Sequence, residues 1–454
     1  MIALPHRIRR LRWQVRTASQ EDALTVRMRV RDQWLPAALS ALAAWFDAVG
    51  GGEDTIQVSR LELCVRLTGP DQTPEWLLPR IETQVREQLL GATSRTAATP
   101  ERWRRKPASE ARLDALIEFL KTGSLPWEYA QFDLHDVVTE LRAAADSIGD
   151  WLLDSIAFAP LVRLLALLPE RDWASLLPHL LDLAPGSRQR LSDALGALAT
   201  GLEGQELTRY ARVRLAAAAI ARAAAPSDPH IAREAQTLAE AYLANLPGAT
   251  ASLLMSWLES VGTVPGGEAA HHPAAEETRS TRSTCVAMGL SVPYAGLVLL
   301  HPFLPALFEA TGVARRGERF LRSPERAAAL LYLLATGEEE AQEFELGFIK
   351  VLVCQRPESL ALVTSGLLSS TDRTETQSLL EAVIGHWSVL RRTSVAGLRQ
   401  SFLQRRGLLF EQDNAWRLQV EPHAFDVLID YLPWGVGVVA LPWVTKPIVT
   451  EWRA

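Results

Sequence analysis

Hydrophobic positions along the chain fall into three regimes. In the first, roughly 1–92, strand and helix patterns mix. Leu11, Trp13 and Val15 alternate with Arg10, Arg12, Gln14 and Arg16, which predicts a half-buried strand. Leu61, Leu63, Val65 and Leu67 alternate likewise, and the phase set by Ile56 and Val58 breaks at Ser59-Arg60, predicting a bulge there. Between them Leu24, Val26, Met28 and Val30 also alternate. Yet Ser19 with Asp22 resembles a capping box and Ala37–Phe46 is good helix material, so the region reads as one long helix ended by Gly50-Gly51-Gly52.

The second regime, 110–264, is helical. Leu113, Leu116, Ile117 and Leu120 keep helical spacing, with Gly123 placed to stop the turn. Further helices are predicted at 133–153, 158–168, 171–183, 188–202, 205–225, 229–245 and 249–262, mostly separated by Pro or Gly. Short helices on short loops suggest a helical array, although no strict repeat and no sustained heptad can be read. The third regime, 285–454, is denser in aromatics and proline. Its helices are predicted at 294–310, 323–336, 341–355, 357–368, 374–391 and 394–406. A hairpin follows, from Leu408–Phe410 and Trp416–Val420 about Asp413-Asn414. A helix His423–Leu432 then carries Phe425, Leu428, Ile429 and Leu432 on one face, and a strand runs from Gly435 to Leu441.

Two polar segments divide these regimes. Residues 93–109, with Arg102-Trp103-Arg104-Arg105-Lys106-Pro107, read as a basic linker, the other reading being a patch for an anionic partner. Residues 265–284, rich in small residues, read as a flexible linker. The fold class that follows is mainly α with minor β. It comprises a small N-terminal α/β domain, a middle helical array, and a C-terminal α-rich module with a β-hairpin and a terminal strand.

Composition narrows the function. The 454 residues carry 47 Lys+Arg against 53 Asp+Glu, a formal charge of -6, which argues against bulk nucleic-acid binding. Only Lys106, Lys121, Lys350 and Lys446 are lysines. Cys64, Cys285 and Cys354 are too few and too scattered for a disulfide scaffold and fit a reducing compartment; Cys285 and Cys354, among apolar neighbours, read as small core residues. The opening MIALPHRIRRLRW lacks a signal-peptide core, and the most apolar stretch, Leu290–Phe308, holds His301 and three prolines, unlike a membrane span. A soluble, cytoplasmic protein is expected.

Catalytic and metal signatures are missing from the sequence: it has no P-loop, no H-E-x-x-H, no G-x-S-x-G and no strand-bound G-x-G-x-x-G. His271-His272 has no third ligand at fixed spacing. Glu381 and His386 would point about 140° apart on an ideal helix, so His386 reads as a half-buried structural residue. No cofactor, metal or catalytic residue is assigned. Two candidate surfaces remain. Arg391, Arg392, Arg399, Arg405 and Arg406 lie in a helix–helix–hairpin order that could form a winged helix, or else a solvated face of a packed module. The tail residues Pro433, Trp434, Pro442 and Trp443 are rigid and rich in apolar area, which suits a protein interface; alternatively the tryptophans cap the module's own core.

Several segments together resemble the tape measure protein family of phage-tail-like contractile injection systems. They are Tyr294–Phe308 (YAGLVLLHPFLPALF), Arg326–Gly337 (RAAALLYLLATG), Glu381–Phe402 (EAVIGHWSVLRRTSVAGLRQSF), Phe402–Gly407 (FLQRRG) and Phe425–Trp443 (FDVLIDYLPWGVGVVALPW), with Phe119–Trp127 (FLKTGSLPW), His6-Arg7-Ile8 and Ser59–Leu67 as further pieces. Gly347–Arg356 (GFIKVLVCQR) departs from the family pattern, keeping Lys350 and Cys354 but placing Gln355 where a glycine is usual. The resemblance implies a non-enzymatic assembly role, with inner tube and baseplate or spike proteins as partners, no nucleic acid and no membrane. It places the chain in the cytoplasm during assembly or inside the finished particle. A cargo-loading adaptor that binds effectors is the alternative, and a nucleic-acid-binding winged helix the third reading. A fully helical chain of this length would reach ~680 Å at ~1.5 Å per residue, but 26 prolines and 27 glycines preclude one unbroken helix.

Overall fold

A computed structural model describes residues 20–50, 54–58, 63–65, 73–91, 103–125, 158–181, 183, 185–200, 207–224, 252, 254–258, 261, 289–364 and 366–452. The strand expected over Leu11–Val15, most of that over Leu61–Leu67, the helices at 133–153 and 229–245, the linker 265–284 and Cys285 lie outside them. The chain divides into two compact units, Met1–Asp114 and Ala115–Ala454.

In the first unit, helix α1 (Gln20–Arg29) passes through a π-helical turn, Val30–Trp34, into α2 (Leu35–Gly50). Helix therefore wins over the alternation Leu24–Val30. The reason is that Leu24 and Met28 are exposed while Val26 is buried, so the strand-like rhythm never had a single buried face. Val26, Trp34, Ala38 and Leu42 instead pack on Leu77, Ile81 and Val85, spaced by four along α3 (Pro74–Gly91). Strand β1 (Asp54–Val58) pairs antiparallel with β2 (Trp103–Pro107), from Asp54 opposite Pro107 to Val58 opposite Trp103. The end of the basic segment expected to be linker is thus a sheet strand, and α4 (Ala108–Thr122) follows it directly.

The second unit begins within α4, where Ala115, Leu116, Phe119 and Leu120 are buried. Gly123 stops that helix with φ +68°, its amide donating to the Phe119 carbonyl at 2.7 Å. Helices α5 (Phe158–Leu167), α6 (Glu170–Leu180), α7 (Pro185–Thr200) and α8 (Arg209–Ala224) follow, α6 packing on α7 and α5 on α8. In α8 every residue from Leu215 to Ala221 is buried, the mark of a helix enclosed on all sides. Leu254, Leu258 and Val261 are buried helical residues of the expected 249–262 segment.

The largest core gathers residues from Leu290 to Trp452. Its sheet runs β3 (Leu290–Val292), β4 (Gly407–Glu411), β5 (Trp416–Val420), β7 (Ile448–Glu451) and β6 (Val438–Val439); only β5 and β7 are parallel. The expected hairpin is β4–β5, with Leu409, Trp416, Leu418 and Val420 inward. The expected strand Gly435–Leu441 contracts to Val438–Val439, and β3 and β7 are strands the sequence did not signal.

Helices cover this sheet. The segment expected as one helix at 294–310 splits at His301-Pro302 into a 3-10 helix, Ala295–Leu300, and α9 (Leu304–Ala310), since Pro302 has no amide to donate. α10 (Pro324–Thr336) is buried along Ala327–Ala335 and closed by left-handed Gly337. The expected helix 341–355 becomes a 3-10 turn, Glu343–Leu346, and α11 (Gly347–Leu352). No helix forms over the described part of 357–368. There Ala361 donates to Glu343 and the Val363 carbonyl accepts from Ala341, so the backbone is spent on distant partners. α12 (Ser370–His386) starts from a capping box in which the Ser369 hydroxyl and Asp372 carboxylate serve each other's backbone amides.

Candidate functional site

Three charged side chains meet inside the second unit. Arg163 sits on α5, Glu343 in the 3-10 turn, and Lys350 on α11, and they are 1%, 5% and 0% exposed. Arg163 donates through Nε to Glu343 Oε2 at 2.9 Å and through Nη2 to Oε1 at 3.3 Å. Lys350 Nζ donates to Glu343 Oε1 at 2.6 Å. Backbone carbonyls take the other Arg163 protons and a second Lys350 proton: Leu120 and Lys121 accept from Arg163 Nη1, each at 2.9 Å, Glu358 from Nη2 at 2.7 Å, and Pro357 from Lys350 at 2.8 Å. Gly123 closes the group, because a Cβ there would lie 2.5 Å from Glu343 Oε1.

One carboxylate thus serves two cations in a site without bulk water. Burial pushes the Lys350 ammonium below its ordinary value, and the Glu343 carboxylate draws it back only in part. An adjoining cavity of about 30 Å³, bordered by Phe119, Arg163, Arg209 and Thr364, has room for no more than a water or two. Small-molecule pockets are roughly ten times larger. The triad's chemistry is tethering: it ties α4 and α5 to the turn, α11 and the 357–361 segment across 180 residues of sequence.

The five candidate arginines do not share one exposed face. Arg405 is buried, donating to the Asp426 carboxylate at 2.8 and 3.2 Å. Arg399 donates to the Leu333 and Leu334 carbonyls at 3.1 and 3.0 Å, capping the end of α10. Arg391, Arg392 and Arg406 are exposed. The presumed recognition helix is only α13 (Val395–Leu398) continued by a π turn, Arg399–Leu403, and the hairpin lies inside the five-stranded sheet. That is not the free wing of a winged helix.

Of the tail residues, Pro433 and Pro442 are exposed and the tryptophans turn inward. Trp443 is 4% exposed, donates to the Leu352 carbonyl at 2.8 Å and lies 5.0 Å from the Phe308 ring. Trp434 is half-buried, donates to the Leu299 carbonyl at 2.9 Å and meets Phe303 edge-on. Both tryptophans serve the module's own core. The expected helix His423–Leu432 is a 3-10 helix, Ala424–Tyr431, with three residues per turn, so Asp426, Ile429 and Leu432 align inward. Phe425, Val427 and Tyr431 are left 56%, 60% and 63% exposed. Cys354 is exposed with φ +59°, not a core residue, and His386 is exposed beside Phe303.

Two further carboxylates have a testable electrostatic role. Burial raises the Asp372 carboxyl, but hydrogen bonds from Ser369 and from Arg326 at 2.7 Å outweigh it and hold it below the usual carboxylate range. Asp426 is lowered in the same manner, against burial, by Arg405 and the His423 amide. A carboxylate depressed in the folded state stabilises above its unfolded value of about 4 and loses that stabilisation as pH falls through the folded value. The thermal midpoint is therefore expected to fall steeply below about pH 4, and Asp372→Asn to flatten that slope; scanning calorimetry from about pH 6 to 2 measures both.

Among the described residues no helix is long and apolar enough to cross a membrane, and no three His, Cys, Asp or Glu cluster to hold a metal. The family described as contractile injection system tape measure protein matches residues 5–452, nearly the whole chain. No curated protein and no solved structure matches the chain.

Proposed function

We propose a function from one premise: the chain belongs to the contractile injection system tape measure protein family. It is a non-enzymatic assembly protein that guides the inner tube and sheath of a phage-tail-like particle to a defined length, through contacts with tube and baseplate proteins. The match over residues 5–452 carries this reading.

The geometry supports a factor that works with its C-terminal module folded. Unravelling it would strip water-free partners from Arg163, Glu343, Lys350 and Arg405 and expose the core around Leu290–Trp452. For contact with particle proteins the module offers exposed Phe425, Val427, Tyr431 and Pro433, with Arg391, Arg392 and Arg406 also exposed.

Particles assembled without the chain are expected to be scarce, with tubes of scattered length in electron micrographs, and the full chain supplied in trans restores both. Normal yield and one sharp length in its absence would sink the proposal. Removing 265–284 separates two modes: an extended helical ruler would shorten the tube by ~30 Å at ~1.5 Å per residue, whereas a folded factor leaves length unchanged.

A further inference from the structure

Between α9 and α10 the chain makes a loop that carries four arginines and one glutamate in eight residues, Arg315–Arg322. Its base is fixed. Ala314 donates to the Phe308 carbonyl at 2.8 Å, and Arg322 donates to the Val313 carbonyl at 2.9 Å, closing the loop. Val313, Ala314 and Leu321 are buried in the main core. Its tip is turned by Gly317 at φ +87°, with Glu318 donating to the Arg315 carbonyl at 3.0 Å.

Arg322 pairs with Glu318 at 2.8 Å, which holds that carboxyl below its usual range. Arg315, Arg316 and Arg319 are exposed and have no ion-pair partner within 4 Å among the described residues. Beside them Phe320 stands 59% exposed, although its neighbour Leu321 is buried. A phenyl ring held in water on a rigid base, among unpaired guanidiniums, contributes nothing to the fold that a polar residue would not. Arginine and aromatic side chains are the types that dominate protein–protein contacts, and a preformed loop loses little entropy on binding.

We infer that Arg315, Arg316, Arg319 and Phe320 form a docking knob for an acidic protein surface: carboxylates pair with the guanidiniums around an apolar cup that takes Phe320. The proposal rests on the assembly reading in that the partner is a protein of the particle. A protein partner fits better than a nucleic acid because the chain as a whole is acidic, at -6, and would repel a long polyanion. A local carboxylate patch has to match the loop alone.

Surface plasmon resonance tests it, with the full chain immobilised and purified inner tube protein, baseplate proteins and a duplex DNA oligonucleotide as separate analytes. One particle protein is expected to bind, and more weakly as salt rises, since exposed charges are screened. Arg315→Ala/Arg316→Ala/Arg319→Ala should slow association at least tenfold, whereas Phe320→Ser should speed dissociation at least tenfold. All four residues are exposed, so both variants should keep the parent's thermal midpoint. Arg356→Ala, which removes an exposed arginine outside the loop, should leave this interaction unchanged if the knob is the site. Binding by both loop variants equal to the parent overturns the knob and leaves the assembly reading standing. A response to the DNA alone that the triple variant abolishes replaces the protein partner with nucleic acid. Failure of every particle protein to bind the parent overturns knob and assembly reading together.

Discussion

Replacing Glu343 by alanine is expected to lower the thermal midpoint of the second unit on the order of 10 °C, or to prevent its accumulation as soluble protein. The variant leaves Arg163 and Lys350 buried, 1% and 0% exposed, with no carboxylate between them. Removing one partner of a buried ion pair costs about 3–5 kcal/mol because the surviving charge is uncompensated. Two cations survive here, and the Ala361 amide also loses its acceptor at 3.2 Å. Domain stabilities are only about 5–15 kcal/mol, so this is a large share.

Lys350→Met should be far milder. It removes one of two cations competing for one carboxylate, keeps the Arg163–Glu343 pair, and fills similar volume with a flexible apolar chain. Burial already holds the Lys350 ammonium below its ordinary value, so removing its charge also removes a desolvation cost. The order Glu343→Ala well below Lys350→Met, read by calorimetry and soluble yield, checks the account. Equal midpoints for the two variants would contradict it.

Where hydrophobic rhythm was regular, the sequence disclosed the fold. Helices α5 to α8 and α10 lie close to their predicted spans, and the β4–β5 hairpin follows from two alternating runs about Asp413-Asn414. Very short elements carried too few periods to read: β3 and β7 have three and four residues, and the two-residue β6 was expected only as the longer run Gly435–Leu441. The 3-10 helix Ala424–Tyr431 was legible as a helix but not in its period, and that error reversed the places of Phe425 and Asp426. The triad was hidden because its members lie far apart in sequence. Its one local signal was available: Arg163 is the single charge in Phe158–Leu167, as Lys350 is in Gly347–Cys354. An isolated charge on an all-apolar helix must find a partner inside. The buried fate of Arg405 was less readable, since Arg406 beside it is exposed and the selecting partner, Asp426, lies 21 residues on.

Gly296→Ala is expected to be at least as damaging, for a steric reason that leaves charge out. Gly296 lies in the 3-10 helix Ala295–Leu300 where that backbone crosses the π turn Arg399–Leu403. An added Cβ would sit 1.7 Å from the Phe402 carbonyl oxygen and 2.7 Å from Leu403 Cα. Both obstacles are backbone atoms, so no rotamer change relieves the clash. The two segments must separate, which strains the Ala295–Arg405 hydrogen bond of 2.8 Å and the packing of Phe402 on Trp387, whose rings are 4.8 Å apart. Overpacking a core costs about 1–3 kcal/mol where side chains can shift, and a backbone crossing with no slack belongs above that range. Gly385→Ala is the matched control: it lies in α12 with nothing within 4 Å of the added methyl, and should be neutral or stabilising by up to about 1 kcal/mol. Denaturant unfolding of both variants decides the matter. If Gly296→Ala unfolds at the parent's midpoint, the helices cannot cross as closely as described, and the core would have to hold Phe402 and Leu403 further from the Ala295–Leu300 turn.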